Sequence, residues 1–185
     1  MATVTVPSTT AVPRWVDRTA HAVVWTTVPS GLWRIALGLG VPVGFHGELA
    51  EVFAAPGWAI TPYVIALSLA VEGLALLTLG LVRPWGEVFP RWMPVVGGRR
   101  VPTTAAVTAA GLGALAVTWI VVTMALSWTD PDANGGPDAP HGVAGLVMTA
   151  CYAPLLAWGP LLAVVTVAYA VRRRRQAEGR TRPQS

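Results

Sequence analysis

Four long apolar segments, separated by shorter polar stretches, dominate the pattern of this chain. Their approximate ranges are residues 30–47, 62–82, 103–128 and 142–171. A membrane-spanning helix needs about 20 mainly apolar residues, and each segment is close to that length or longer. The pattern therefore predicts an all-α fold, in which four transmembrane helices form the bundle of a polytopic membrane protein.

The first and last segments depart from the ideal length of a span. A helix from Ser30 to Phe45 would measure about 24 Å, less than a hydrocarbon core of about 30 Å, so we expect it to begin earlier or to continue past Phe45. Pro29 and Ser30 favour a helix start here, because Pro29 opposes continuity with what precedes it and Ser30 can cap the new helix. The last segment is longer than a span needs and contains Pro154 and Pro160, which predict a kink or a tilt.

The distribution of arginine orients the chain in a bilayer. Twelve of the 13 basic residues lie before the first segment, between the second and third, or after the fourth. The three clusters consist of Arg14, Arg18, Arg83, Arg91, Arg99, Arg100, Arg172, Arg173, Arg174, Arg175, Arg180 and Arg182. The two other connections carry acidic residues and no arginine. Because cytoplasmic loops collect Lys and Arg, we predict a plasma-membrane protein with both termini in the cytoplasm.

This orientation divides the chain into three parts. Residues 1–28 are predicted to form a cytoplasmic tail, in which residues 14–28 are compatible with a short helix on the inner interface, a depth that suits Trp and Arg. Residues 29–171 are predicted to form the four-helix membrane domain. Residues 172–185 are predicted to form a basic cytoplasmic tail.

Composition argues against an ordinary soluble domain. With 54% hydrophobic residues, 12% charged residues and a mean hydropathy of +0.55, the chain is more apolar than soluble proteins of this size. The pI of about 10.2 comes from the cytoplasmic clusters, so we predict contact with anionic lipid headgroups and no nucleic-acid partner. Cys151 is the one cysteine, which excludes an intramolecular disulfide. Structural zinc is not expected, and no cofactor is predicted.

Glu72 is the first residue to consider for chemistry, because it lies midway along the second segment. A charged group at that depth costs about 2.5–3.5 kcal/mol, so the carboxyl is protonated, paired or facing a polar cavity. Arg34, the one arginine inside an apolar segment, is its candidate partner. The sequence places Arg34 about 6 Å from the inner end of its span and Glu72 about 15 Å from that side. Three roles stay open for Glu72: an ion pair, a neutral hydrogen bond to a neighbouring helix, or a proton-relay or catalytic group.

The connection at residues 130–141 contains the weak candidates for a metal site. Its sequence DPDANG matches the opening of an EF-hand calcium loop, in which side-chain oxygens alternate along the chain. The match then fails, because His141 stands where the loop needs a bidentate Glu. We therefore predict an acidic, turn-rich outer loop and no metal site. The oxygen-bearing candidates are Asp130, Asp132, Asn134 and Asp138.

The inner connection between the second and third segments is the most distinctive stretch. Four prolines oppose a long helix, and its aromatic residues make it too apolar for free solution, so we predict that it lies in the inner headgroup layer. The predicted headgroup contacts, including two from the C-terminal tail, are Trp85, Arg91, Trp92, Arg99, Arg100, Arg172 and Arg173.

The same connection carries a resemblance to a known group of proteins. Its pattern W-G-x-x-x-P-x-W-x-P-x-x-G-G-R-x-V-P, at residues 85–102, resembles loops that join the middle helices of small, uncharacterised four-helix membrane proteins of high-GC actinobacteria. The resemblance extends to the motifs PSGLWR at 29–34 and WGP at 158–160, and so covers most of the chain. It implies the four-helix fold and a lineage, but no activity.

These features predict a small, non-enzymatic membrane protein with a structural or accessory role, which assembles with itself or with a membrane partner. Triad, phosphate-loop and dinucleotide motifs are absent from the sequence, so no catalytic residue is assigned. The alternative is a membrane enzyme or small transporter, which would use Glu72 and Arg34 with Tyr152 and Tyr169 around an intramembrane cavity. A transporter normally surrounds its site with more than four helices, so this alternative requires at least a dimer.

Overall fold

The computed structural model describes residues 12–88, 98–99, 101–130 and 136–181 of the chain. Every regular element in these ranges is helical. The α-helices are α1 (Arg14–Gly38), α2 (Gly47–Val52), α3 (Ile60–Leu77), α4 (Thr103–Leu126), α5 (Gly142–Tyr152) and α6 (Trp158–Thr181). Two 3₁₀ turns extend this set: Thr78–Leu81 continues α3, and Ala153–Ala157 joins α5 to α6.

Three helical segments are long and apolar enough to cross a membrane: Ile60–Leu81, Thr103–Leu126 and Gly142–Glu178. They occupy the places of the second, third and fourth predicted spans. In the described part of the chain the first predicted span, 30–47, has no counterpart among them, because α1 is long enough but contains no stretch as apolar as those of the three segments.

α1 nevertheless lies at the centre of the bundle. It packs along α3 and α6 and also contacts α5 and the two 3₁₀ turns. Its buried residues include Ala20 and Val23 near its start, and Trp33 and Leu37 near its end. α4 lies at the edge, where α6 is its main neighbour. A Cβ at Gly159 of α6 would collide with a threonine hydroxyl of α4, so this glycine permits the close approach of the two helices.

The predicted break at Pro29 is wrong, because α1 continues through this proline. Residues 14–28 are thus the first half of a long helix rather than a separate interfacial one. Three hydroxyl groups near the proline donate to main-chain carbonyls of α1, although none of them donates to the carbonyl of Trp25, which loses its helical partner at Pro29. The donors are Thr26, Thr27 and Ser30, at 2.6, 2.7 and 2.9 Å from the carbonyl oxygens of Val23, Val24 and Thr27.

Of the two alternatives for this helix, the earlier start is confirmed and the continuation past Phe45 is wrong, because α1 begins at Arg14 and ends at Gly38. Gly40 has a φ of +85°, a conformation that favours glycine, and a Cβ there would stand 2.8 Å from the carbonyl oxygen of Ala55. The chain therefore turns away from the helix axis. Phe45 lies outside any helix and packs against Phe53, with 4.7 Å between the ring centroids.

The fourth predicted span is interrupted and longer than expected. Pro154 lies in the 3₁₀ turn between α5 and α6, where the α-helical hydrogen-bond ladder is broken. Pro160 lies in the first turn of α6, where main-chain N–H groups have no partner within the helix. α6 then continues beyond Val171 to Thr181, so the basic segment predicted as a separate tail begins as the last turns of a helix.

Candidate functional site

The candidate site is a polar cluster between α1 and α3, which run antiparallel. Arg34 of α1 lies opposite Ser68 of α3. One turn further along α3, Glu72 lies opposite Gly31. Two helices can approach this closely because Gly31 has no side chain.

Glu72 is held between the two helices by its carboxyl group. Its Oε2 atom lies 2.9 Å from the hydroxyl of Thr27, which also lies 2.7 Å from the main-chain carbonyl oxygen of Val24. Its Oε1 atom is buried without a hydrogen-bond partner and would stand 3.1 Å from a Cβ at Gly31. A side chain at position 31 would therefore displace this carboxyl group.

Arg34 is 8% exposed, which is unusual for a guanidinium. Its Nε donates to the Ser68 hydroxyl at 3.1 Å, and that hydroxyl donates to the carbonyl oxygen of Val64 at 2.7 Å. Its Cζ atom lies 6.0 Å from the centroid of the Tyr152 ring, a cation–π distance. Its Nη2 atom is buried without a hydrogen-bond partner.

Arg34 and Glu72 share this interface without forming an ion pair, although both lie in the described part of the chain. Their order also differs from the prediction. Because α1 begins at Arg14, Arg34 lies about 30 Å along the helix, near its end at Gly38 instead of its inner end. Glu72 lies about 18 Å along α3 from Ile60, near the middle of its span.

Sequence analysis did not find Thr27 and Ser68, the hydrogen-bond partners of the two ionisable side chains. A signal was present for each. Ser68 lies one turn before Glu72, and Thr27, Gly31 and Arg34 follow the spacing of one helix face. The second pattern becomes visible only when the helix continues through the proline between them.

Contacts bring members of the arginine clusters together at one end of the bundle, where α1 begins and α3 ends. Asp17 Oδ1 lies 3.5 Å from Arg83 Nη2, which connects the start of α1 to the end of α3. The two predicted headgroup contacts on α6 also connect helices. Arg172 Nη2 donates to the carbonyl oxygen of Leu81, and Arg173 Nε donates to the Thr103 hydroxyl, both at 3.1 Å.

Of the other predicted headgroup contacts, the structure describes Trp85 and Arg99. Trp85 is half-exposed, and its ring edge lies against Gly80. Arg99 is exposed. Arg91, Trp92 and Arg100 lie outside the described residues.

Asp138, one of the weak metal candidates, caps α2. Its main-chain carbonyl accepts a hydrogen bond from the N–H of His46 at 2.9 Å, and its Oδ2 accepts one from the N–H of Glu48 at 3.0 Å. Asp132 and Asn134 lie outside the described residues, whereas the main-chain N–H of Asp130 donates to a turn carbonyl. Within the described ranges, no group of three or more His, Cys, Asp or Glu side chains is placed to hold a metal ion.

Comparison of the chain with protein-family models, with curated proteins and with solved structures found no match.

Proposed function

We propose that the chain is an integral protein of the plasma membrane with four spans, of which α1 is one. The 25 residues of α1 correspond to about 37 Å, more than a hydrocarbon core of about 30 Å. Thr27, Ser30 and Arg34 are buried against other helices, while Trp25 and Leu32 occupy exposed positions. This division lets α1 hold polar groups inside the bundle and present apolar side chains to lipid.

We assign the arginine-rich end of the bundle to the cytoplasm, with both termini on that side. The assignment is supported by the contacts that join all three arginine clusters at this end. We also propose membership of the actinobacterial four-helix group that the inner loop resembles.

Cysteine labelling tests this topology. Single cysteines at the exposed positions Gly98 and His141, in a Cys151→Ser background, lie on opposite sides of the proposed bundle. In intact cells a membrane-impermeant maleimide should label His141→Cys, and it should label Gly98→Cys only after permeabilisation. Labelling of both positions from one side would contradict the four-span arrangement.

Within the membrane, the leading role is structural: a small component that assembles with another copy of this chain or with a membrane partner. The observation that carries this role is that Glu72 and Arg34 make their hydrogen bonds to partners on the facing helix. The Thr27 hydroxyl has a single proton for two acceptors. It lies 2.9 Å from the Glu72 carboxyl and 2.7 Å from the Val24 carbonyl oxygen, and both are within hydrogen-bond distance. Through this hydroxyl, Glu72 cross-links α3 to α1.

Two buried polar atoms that make no hydrogen bond favour a second candidate function. Arg34 Nη2 and Glu72 Oε1 are buried at the same helix interface, and neither has a hydrogen-bond partner. Intramembrane ionisable groups that keep unused donors and acceptors are typical of proton relays and substrate sites. The alternative is therefore a membrane enzyme or small transporter that uses Glu72 and Arg34, with Tyr152 beside the guanidinium.

The variant Glu72→Gln separates the two roles, because it keeps the size and hydrogen-bonding ability of the neutral acid and removes its proton chemistry. For a structural Glu72, the Gln variant should insert normally, keep its thermal stability in detergent and complement a strain that lacks the gene. Glu72→Leu is the comparison, and it should lower stability by about 0.6–1.7 kcal/mol, the range for a hydrogen bond between helices in a membrane. A stable Gln variant that fails to complement would favour the enzyme or transporter instead.

A further inference from the structure

Two buried hydroxyl groups, those of Thr78 and Tyr169, differ from other buried hydroxyls of the bundle. Their side chains are 3% and 2% exposed, and neither hydroxyl oxygen has a hydrogen-bond partner. A buried polar group without a partner is rare and destabilising. Elsewhere in the described helices, four other buried hydroxyls each donate to a carbonyl oxygen of their own helix: those of Thr27, Ser30, Ser68 and Thr166.

The two hydroxyls lie at a similar depth in the bundle. α3 and α6 both run towards the arginine-rich end, where Arg172 Nη2 donates to the carbonyl oxygen of Leu81 at 3.1 Å. Thr78 precedes Leu81 by three residues on one side of this contact, and Tyr169 precedes Arg172 by three residues on the other. The register of the two helices therefore places both hydroxyl-bearing residues just inside the arginine-rich end.

Glu72 is the next polar group towards the middle of α3. It lies about 9 Å further from the arginine-rich end than Thr78, and its Oε1 atom is also buried without a partner. Side chains of a helix lean towards its N-terminus, which for Tyr169 is the direction of Glu72. A hydroxyl group both donates and accepts hydrogen bonds, so each of the two hydroxyls is able to receive a proton and pass one on.

On the other side of Glu72, the polar groups are not able to pass on a proton. The Ser68 hydroxyl donates to the carbonyl oxygen of Val64 and accepts from Arg34 Nε, so its single proton is already engaged. A guanidinium has no acceptor and keeps its charge in proteins, so Arg34 does not take up a proton. The chemistry of the interface therefore leaves the arginine-rich end as the side from which a proton reaches Glu72.

We propose that the Glu72 carboxyl exchanges its proton with the arginine-rich end of the bundle through Tyr169 and Thr78, with buried water molecules bridging the intervals. Each hydroxyl or water accepts one proton and releases another, so the net transfer is one proton onto or off the carboxyl group. Water suits these intervals, because buried water typically bonds to polar groups that have no other partner.

This path rests on the membrane placement proposed above and deepens the alternative in which Glu72 acts as a proton relay. The proposals fail separately. Cysteine labelling tests the placement, complementation by Glu72→Gln tests the role, and the rate of proton exchange tests the path.

Hydrogen–deuterium exchange of the Glu72 carboxyl, followed by time-resolved infrared spectroscopy of the purified full chain in detergent, measures this rate. The C=O band of a protonated carboxyl moves on deuteration, and Glu72→Gln identifies the band by removing it. Tyr169→Phe and Thr78→Val each remove one hydroxyl and should slow the exchange at least about fivefold, the effect of removing one hydrogen bond from the path.

Two control variants separate the hydroxyls from changes in packing. Thr78→Ser keeps the hydroxyl and should exchange at the wild-type rate. Tyr152→Phe removes a tyrosine hydroxyl on the other side of Glu72, beside the Arg34 guanidinium, and should leave the rate nearly unchanged.

Three results would overturn the proposal. Equal rates in Tyr169→Phe and Tyr152→Phe would show that the hydroxyl near the arginine-rich end carries no proton. Faster exchange in Tyr169→Phe, together with a lower thermal stability, would show that exchange occurs by opening of the bundle. Absence of the carboxyl C=O band from the wild-type chain at neutral pH would show that Glu72 is ionised and has no proton to exchange.

Discussion

α1 and α4 are nearly equal in length, at 25 and 24 residues, but they place their polar residues in opposite ways. α1 carries Thr27, Ser30 and Arg34 on its buried face and lies at the centre of the bundle. α4 is mainly apolar, yet only 11% of its most apolar stretch is buried, and Trp119 is 73% exposed. The less apolar helix is therefore the better packed of the two.

The difference follows from the membrane placement proposed above, because lipid then surrounds the bundle. An apolar side chain gains little when it moves from lipid to the protein interior, whereas a polar side chain gains a partner there. Hydropathy therefore measures how much of a helix lipid can cover, and says little about how centrally the helix packs. α1 can carry more polar groups than α4, because these groups face α3 and form hydrogen bonds there.

The largest predicted effect on the free energy of unfolding comes from replacing one glycine in each of the two helices. A Cβ at Gly38 of α1 would stand 2.5 Å from a methyl group of Val64, whereas a Cβ at Gly113 of α4 meets nothing within 4 Å. Gly38→Leu should therefore lower the free energy of unfolding in detergent by about 3 kcal/mol, or prevent folding, because overpacking separates α1 from α3. Gly113→Leu should change it by less than about 0.5 kcal/mol. Equal effects would show that α4 is packed as closely as α1.

A second prediction concerns the buried guanidinium of α1. Arg34 donates to Ser68 and lies beside the Tyr152 ring, but its Nη2 has no hydrogen-bond partner and no carboxylate of the described residues pairs with it. Arg34→Met keeps a side chain of similar length and should raise the free energy of unfolding by about 2 kcal/mol, as replacement of buried charges by apolar residues often does. Arg174→Met, at an exposed position, is the control and should have little effect.

Stability and complementation together distinguish two reasons for the presence of this arginine. A stabilised Arg34→Met variant that no longer complements would show that the charge is kept for function, which favours the enzyme or transporter. A clear loss of stability would instead show that the guanidinium is well paired, contrary to the contacts described above.

The sequence predicts the apolar helices better than the helix that organises them. The segments at 62–82 and 103–128 lie where the structure has α3 and α4, because a long run of apolar side chains is a local signal. For α1, the alternative of an earlier start is confirmed, whereas the predicted break at Pro29 and the end beyond Phe45 were wrong. Pro29 is a strong local signal for a break, whereas the packing of α1 along α3 and α6 depends on residues that are distant in the sequence.

The same reason limits what could be predicted of the site. Glu72 and Arg34 were identifiable as ionisable residues in apolar segments, and their presence at one interface follows from the antiparallel packing of α1 and α3. The relative depth of Arg34 was wrong because it depended on where α1 begins. Partners such as Ser68 are assigned by the register between two helices, which no local pattern contains.

The smallest predicted effect concerns the hydroxyl groups of α1 and α4. Thr27 contacts Glu72 of the facing helix, whereas Thr123 of α4 bonds only to carbonyls of its own helix. Thr27→Val should lower the free energy of unfolding by about 0.6–1.7 kcal/mol, because it leaves the Glu72 carboxyl without its partner. Thr123→Val should change it by less than about 0.5 kcal/mol. The double variant Thr27→Val/Glu72→Leu completes a cycle with the two single variants, and its coupling energy should account for most of the loss in Thr27→Val. A coupling near zero would show that the two side chains are neighbours without a shared hydrogen bond, and the polar face of α1 would then have to be held by Arg34 and Ser68 alone.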